Sequence, residues 1–175
     1  MALPIKQTNQ IVGLRNYLQA PTEKGGALFL CYYFEMKSIT IFTDGGARGN
    51  PGPAGAGALI IGENNKVLKK VSKFLGERTN NWAEYEAVIL GLQELKKLIP
   101  EKERKNTSVE IKLDSELIVR QLSGLYQIKE TTLFPQYIAV HNMRVKDFPN
   151  ITFTHVPREK NTDADRLANE AMDGA

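Results

Sequence analysis

Three successive segments with strand periodicity, one long segment with helical periodicity and then a fourth strand pattern constrain the fold of this chain more tightly than any other feature. Residues 37–43 alternate Ile39 and Ile41 with polar neighbours, residues 58–61 (ALII) form a short apolar run, and residues 67–75 alternate with lysines. Residues 45–57 (GGARGNPGPAGAG) are so crowded with glycine and proline that they read as the loop joining the first two strands. An antiparallel meander is the expected arrangement of the three. Thr79, Asn80 and Asn81 then supply cap chemistry for a helix over 82–98, where Ala83, Ala87, Leu90 and Leu95 recur at helical spacing and Pro100 marks the end. Residues 108–113 alternate Val109, Ile111 and Leu113 with polar positions. Helices are predicted over 116–122, 133–145 and 162–172, with a last strand over 151–154. This order implies an α/β fold, a mixed sheet flanked by helices with at least one parallel crossover.

A chain of 175 residues, 42% apolar and 25% charged, has the size and balance of one compact domain. Residues 1–35 read differently, with mixed polarity and a Lys24-Gly25-Gly26 break, and are expected to be an N-terminal extension to a catalytic domain at 36–175, with Met36 as an alternative start. The richest apolar run, residues 27–34 (ALFLCYYF), is far short of the roughly 20 residues of a membrane span and has no basic leader of a secretory signal. Cys31 is the only cysteine, so no intramolecular disulfide can form, and no Cys/His cluster has zinc spacing. The expectation is a cytoplasmic protein, without membrane association, whose metal chemistry uses oxygen rather than sulfur. A net charge of +3 permits a polyanionic partner without requiring one.

Four acids fall where elements begin or end. Asp44 follows the first strand, Glu84 lies in the first turns of the long helix, Asp114 follows the fourth strand and Asp165 opens the last helix. Strand ends in such sheets converge on one rim. Four carboxylates meeting there would repel one another unless protons or cations intervened, and hard oxygen ligands suit Mg²⁺ or Mn²⁺. Singly, each acid has a plainer role. Asp44 before Gly45-Gly46 suits a turn, Glu84 complements a helix dipole, Asp114-Ser115 suits the cap of the helix that follows, and Asp165 stands three residues after Thr162 at a capping-box-like spacing, with Asp163 suited to be the cap itself. Only the set points to chemistry.

Four ordered blocks carry a family resemblance: residues 41–57 (IFTDGGARGNPGPAGAG), 79–87 (TNNWAEYEA), 111–122 (IKLDSELIVRQL) and 155–171 (HVPREKNTDADRLANEA). Together they resemble the type-1 ribonuclease H family over nearly all of the chain after the extension. The resemblance implies a ribonuclease H-like fold, a central mixed five-stranded sheet with three antiparallel strands and then parallel strands. It implies an endonuclease that hydrolyses the RNA strand of RNA/DNA hybrids with two divalent ions, leaving 5′-phosphate and 3′-hydroxyl ends. Asp44 would bridge both ions, Glu84 and Asp114 would support one side and Asp165 the other. Asp165 is preferred to Asp163 because the family places its acid directly before a polar-Leu-Ala sequence, here Arg166-Leu167-Ala168. His155 is implied as a helper in proton transfer or product release. Asn50, Thr79, Asn80, Asn81 and Ser115 are implied as contacts to the sugar and phosphates of the hybrid, which an enzyme that spares DNA needs in order to register the 2′-hydroxyl. A monomer is expected.

The chain departs from the family pattern in two places. The basic, tryptophan-bearing protrusion of some members has no counterpart in residues 123–150, and Glu116 stands where a glutamine often contacts nucleic acid. Lys69, Lys70 and Lys73 are candidates to compensate, although a charge run on a strand is usually a solvated face. Trp82 reads as core or groove wall. Two rival functions stay open: a nuclease of the same fold acting on double-stranded RNA or another structured nucleic acid, and a nucleic-acid-binding module without catalysis.

Overall fold

The computed structural model describes residues 38–174. The expected extension at 1–35, with its apolar run and Cys31, and the alternative start at Met36 lie outside the described residues. β1 (Ser38–Ala47), β2 (Gly52–Ile61) and β3 (Val67–Arg78) form the antiparallel meander. β4 (Ser108–Leu113) pairs parallel with β1, and β5 (Asn150–His155) pairs parallel with β4, so the sheet order is β3-β2-β1-β4-β5. This is the mixed sheet that the strand and helix order predicts, with the five-stranded arrangement that the family resemblance implies. The helices are α1 (Asn80–Leu98), a single turn α2 (Glu101–Arg104), α3 (Glu116–Leu122), α4 (Phe134–Lys146) and α5 (Thr162–Asp173).

The glycine-rich stretch is where the expectation fails. Residues 45–57 are not a loop: β1 runs on through Asp44 to Ala47, and β2 starts at Gly52, leaving only residues 48–51 to turn. Asp44 is thus a strand residue paired with Gly57 rather than a turn residue. The glycines answer a packing demand. A methyl group on Gly45 would overlap the Ala83 carbonyl of α1, and one on Gly57 would overlap the Ala164 carbonyl and Leu167 of α5. Both helices therefore lie on nearly bare strand backbone, closer than any side chain would allow.

The two faces of the sheet follow from the same contacts. Gly91 of α1 sits against Ile41, Thr43 and Ala58, so these positions face α1. Successive strand residues alternate faces. Asp44 and its partner Gly57 consequently face α5. On the α1 side, Ile41, Ile60, Val88, Leu92, Leu95, Ile111 and Leu113 form a core with no solvent exposure, and α4 packs beside α1. β3 and β5 are the edges. Lys69, Lys70 and Lys73 are exposed along β3, and Lys70 lies 3.6 Å from Asp163.

Other boundaries hold with small shifts. β3 continues three residues beyond its expected end at Leu75, and α1 starts at Asn80 rather than Trp82. α2 follows Pro100 and was not legible in so short a segment. Its Arg104 and Lys96 of α1 both pair with buried Asp147, at 3.1 and 2.9 Å. Asp163 is not the cap of α5. Asn161 holds the N-cap position, and Asp163 pairs instead with Arg166 at 3.2 Å, one turn along the helix. No helix among the described residues is long and apolar enough to cross a membrane.

Candidate active site

The β1–β4 ladder stops at the pair Phe42 and Lys112. Two residues further on each strand stand Asp44 and Asp114, at the mouth that opens where β4 leaves the sheet while β1 continues beside β2. Such carboxyl ends of parallel strands are natural ligand positions. Gly45 admits α1 close enough to bring Glu84 to the same mouth. One carboxylate oxygen from each of Asp44, Glu84 and Asp114 lies within 4.8 Å of the other two. Asp165, from the first turn of α5, lines the same cavity of about 360 Å³ together with Arg48, Asn80, Arg158 and Asn169. Its carboxylate accepts from the Arg158 guanidinium at 2.7 Å and from Asn169 Nδ2 at 3.2 Å.

Crowded acids pay in ionisation. Burial is the main cause that pushes Asp44 up to about 7, the charges of Asp114 and Asp165 act in the same direction, and Arg158 opposes them. Glu84 is raised well above the usual carboxylate range, by burial first and then by Asp44 and Asp114, against a backbone hydrogen bond from Gly45 and the charge of Arg158. Both groups keep their protons in the folded chain at pH values where the unfolded chain has lost them. The folded state then binds more protons, so unfolding free energy falls as pH rises between about 4 and about 7. In chelator, the melting temperature should drop across that window, and the stability lost should be on the order of a few kcal/mol. A melting temperature that climbs instead would contradict the burial of these acids.

The donor set fits divalent cations. Three carboxylates converge, no thiolate or imidazole is among them, and Glu84 Oε2 is buried without a hydrogen-bond partner. A buried, unpartnered carboxylate oxygen is costly. A hard cation would satisfy it.

The remaining sequence-predicted residues divide into two groups. Asn50, Thr79 and Asn80 belong to one network. Asn80 Oδ1 accepts from the Ala47 N–H at 2.8 Å, Asn50 Oδ1 accepts from the Asn80 N–H at 3.1 Å, and Thr79 Oγ1 caps α1 by accepting from the Trp82 N–H at 3.4 Å. The network ties the 48–51 turn to the start of α1 beside the acids. Asn81, by contrast, lines a separate groove with Leu117, Gln121, Tyr126 and Leu133. Ser115 stands at the N-cap of α3 without a side-chain cap bond. His155 ends β5 on the surface, its Nε2 3.2 Å from the Asp114 carbonyl oxygen, and does not line the acidic cavity. Trp82 is half-buried wall, with the Arg78 guanidinium 4.7 Å from its ring centre.

Residues 42–171 match the Reverse transcriptase-like family. LC11-RNase H1, solved in complex with an RNA/DNA hybrid, superposes with a TM-score of 0.75 at 48% identity, over 78% of this chain and 97% of that one. The chain belongs to the ribonuclease H family. Among other ribonuclease H relatives, Ribonuclease HI of Halobacterium salinarum is 33% identical over 137 residues, which are 78% of this chain and 65% of the relative. The bifunctional protein Rv2228c of Mycobacterium tuberculosis is 41% identical over 138 residues, 78% of this chain. This chain spans only 36% of the length of that mycobacterial protein.

Within this ribonuclease H domain, sequence reasoning missed Arg158, Asn161 and Asn169. Arg158 sits three residues after His155 in a segment read only for its histidine and its acid. A basic residue between a strand end and an acid-bearing helix was the available signal. Asn161 directly precedes the predicted helix start, where asparagine is a favoured residue. Asn169 lies four residues after Asp165, one helical turn on, and donates to both its backbone and its carboxylate.

Proposed function

We propose that this ribonuclease H domain is an endonuclease that hydrolyses the RNA strand of RNA/DNA hybrids with two divalent ions, Mg²⁺ or Mn²⁺. The observation that carries this reading is the approach of Asp44, Glu84 and Asp114 to within 4.8 Å, with Glu84 Oε2 buried and unpartnered. A module that only bound nucleic acid would gain nothing from burying repulsive carboxylates beside a polyanion.

Asp44 interacts with Glu84, Asp114 and Asp165 alike, and would be shared by both ions. Glu84 and Asp114 would hold one side and Asp165 the other. Ions held there would supply activation of an attacking water and neutralisation of the leaving 3′ oxygen, giving 5′-phosphate and 3′-hydroxyl products. Arg158 keeps Asp165 aimed into the cavity through their 2.7 Å pair. The oxygens of the Asn50 and Asn80 side chains are engaged by backbone amides, so what these residues would offer the hybrid is the Nδ2 donor, suited to a 2′-hydroxyl or phosphate oxygen. His155, on the rim beside Asp114, would assist proton transfer or product release.

The test is incubation with end-labelled hybrid, duplex RNA and duplex DNA, each with Mg²⁺, Mn²⁺ or chelator. Cation-dependent cutting of the RNA strand of the hybrid, with 5′-phosphate ends, is expected. Preferential cutting of duplex RNA would transfer the reading to the double-stranded substrate, and cutting that persists in chelator would end the metal mechanism.

A further inference from the structure

We propose that Asn161 is a positioning residue that holds Asp114, Asp165 and the Asp44 strand at fixed separations, and so sets the cation affinity of the acidic cluster. This rests on the cluster being a cation site. Asn161 is 1% exposed. Its Nδ2 donates one hydrogen to the Thr43 carbonyl, the residue just before Asp44 in β1, at 3.0 Å. It donates the other to Asp114 Oδ1, also at 3.0 Å. Its own backbone carbonyl accepts from the Asp165 N–H at 3.1 Å and the Ala164 N–H at 3.1 Å. One residue therefore ties together three elements that carry acids and are distant in the chain.

The chemistry asks for this side chain. Asparagine occupies the N-cap position of α5, yet its side chain makes no cap hydrogen bond. Capping alone does not account for it. Asn161 Oδ1 is buried without a partner, an arrangement that folding alone would not favour. The gain lies on the nitrogen, which neutrally satisfies a strand carbonyl and one oxygen of a crowded carboxylate. Aspartate is the same size but would set a further negative charge against Asp114. Serine has one hydrogen and reaches only one of the two acceptors. Groups that orient metal ligands in this way typically change metal affinity or activity by about 10–100-fold when removed.

The experiment is a Mn²⁺ titration of Asn161→Ala and Asn161→Ser, following free Mn²⁺ by electron paramagnetic resonance, with circular dichroism as the check on folding. Mn²⁺ affinity should fall by about 10–100-fold in the alanine variant and less in the serine variant. With hybrid, kcat should fall while KM stays nearly constant, and excess Mn²⁺ should restore kcat in the alanine variant, which a purely structural defect would not permit. Unchanged affinity in folded Asn161→Ala or Asn161→Ser overturns the proposal. Should the variants not fold, the unaltered protein decides: the Asn161 side-chain amide protons must resist exchange and shift on Mg²⁺ addition, and exchange at the free rate without a shift overturns it equally. If the unaltered protein itself binds no Mn²⁺, the metal-nuclease reading fails and this proposal falls with it, whereas Mn²⁺ binding that the folded variants leave unchanged overturns this proposal alone.

Discussion

Asp44→Asn should abolish strand cleavage, lowering the single-turnover rate on hybrid by at least about a thousand-fold, a loss of about 4 kcal/mol in transition-state stabilisation. The same change should leave the chain folded and raise its melting temperature in chelator at mildly alkaline pH. The two effects have one cause. Asp44 is 8% exposed, faces Asp114 and Asp165, and holds its proton up to about 7, so above that pH the cation-free fold carries a buried, repelled charge. Asparagine keeps the shape and removes the charge. Opposite signs for activity and stability at one position are the mark of an acid kept for function at a cost to the fold. Single-turnover cleavage in saturating Mg²⁺ and melting curves in chelator check both halves. Cleavage retained within about tenfold would remove Asp44 from the chemistry.

Gly45→Ala should lower stability by about 3 kcal/mol or more, at the upper end of overpacking costs, because the added methyl meets backbone and not a flexible side chain. It would overlap the Ala83 carbonyl and crowd the Glu84 N–H. For a chain of this size the melting temperature should fall by roughly 10 °C. To relieve the overlap α1 must retreat from β1, and Glu84 retreats with it. Cleavage should therefore fall more than hybrid binding. Gly46→Ala is the control, since a methyl there meets nothing within 4 Å. Calorimetric melting of the two variants side by side is decisive: equal stabilities would mean that the approach of α1 to β1 does not depend on the missing side chain.

That contrast also explains which parts of the fold were legible in the sequence. β4 and α3 were predicted to the residue, because alternating Val109, Ile111 and Leu113 and the short 116–122 pattern each have one face to bury. Residues 45–57 were misread because glycine signals turns by its backbone freedom and proline by its fixed φ and missing N–H, whereas here glycine answers to helices crossing the strands, a tertiary demand with no local signature. The four acids stood out as candidates through their positions at element ends. Choosing Asp165 over Asp163 needed the family resemblance, since both lie in the first turn of α5. In the structure Asp165 lines the acidic cavity while Asp163 pairs with Arg166 and Lys70 on the surface. Asn161 escaped notice because its partners are brought to it only by folding: it is 118 positions from Thr43 and 47 from Asp114.

The lysines of β3 bear on a hazard unrelated to catalysis. An edge strand leaves half of its backbone amides and carbonyls unpaired, ready to template another extended chain. With Lys69, Lys70 and Lys73 exposed along it, and two irregularities in its pairing with β2, any second copy aligning there would bring ammonium groups side by side on a kinked ladder. Sheet-to-sheet fibril growth is thereby discouraged along this edge of the described sheet.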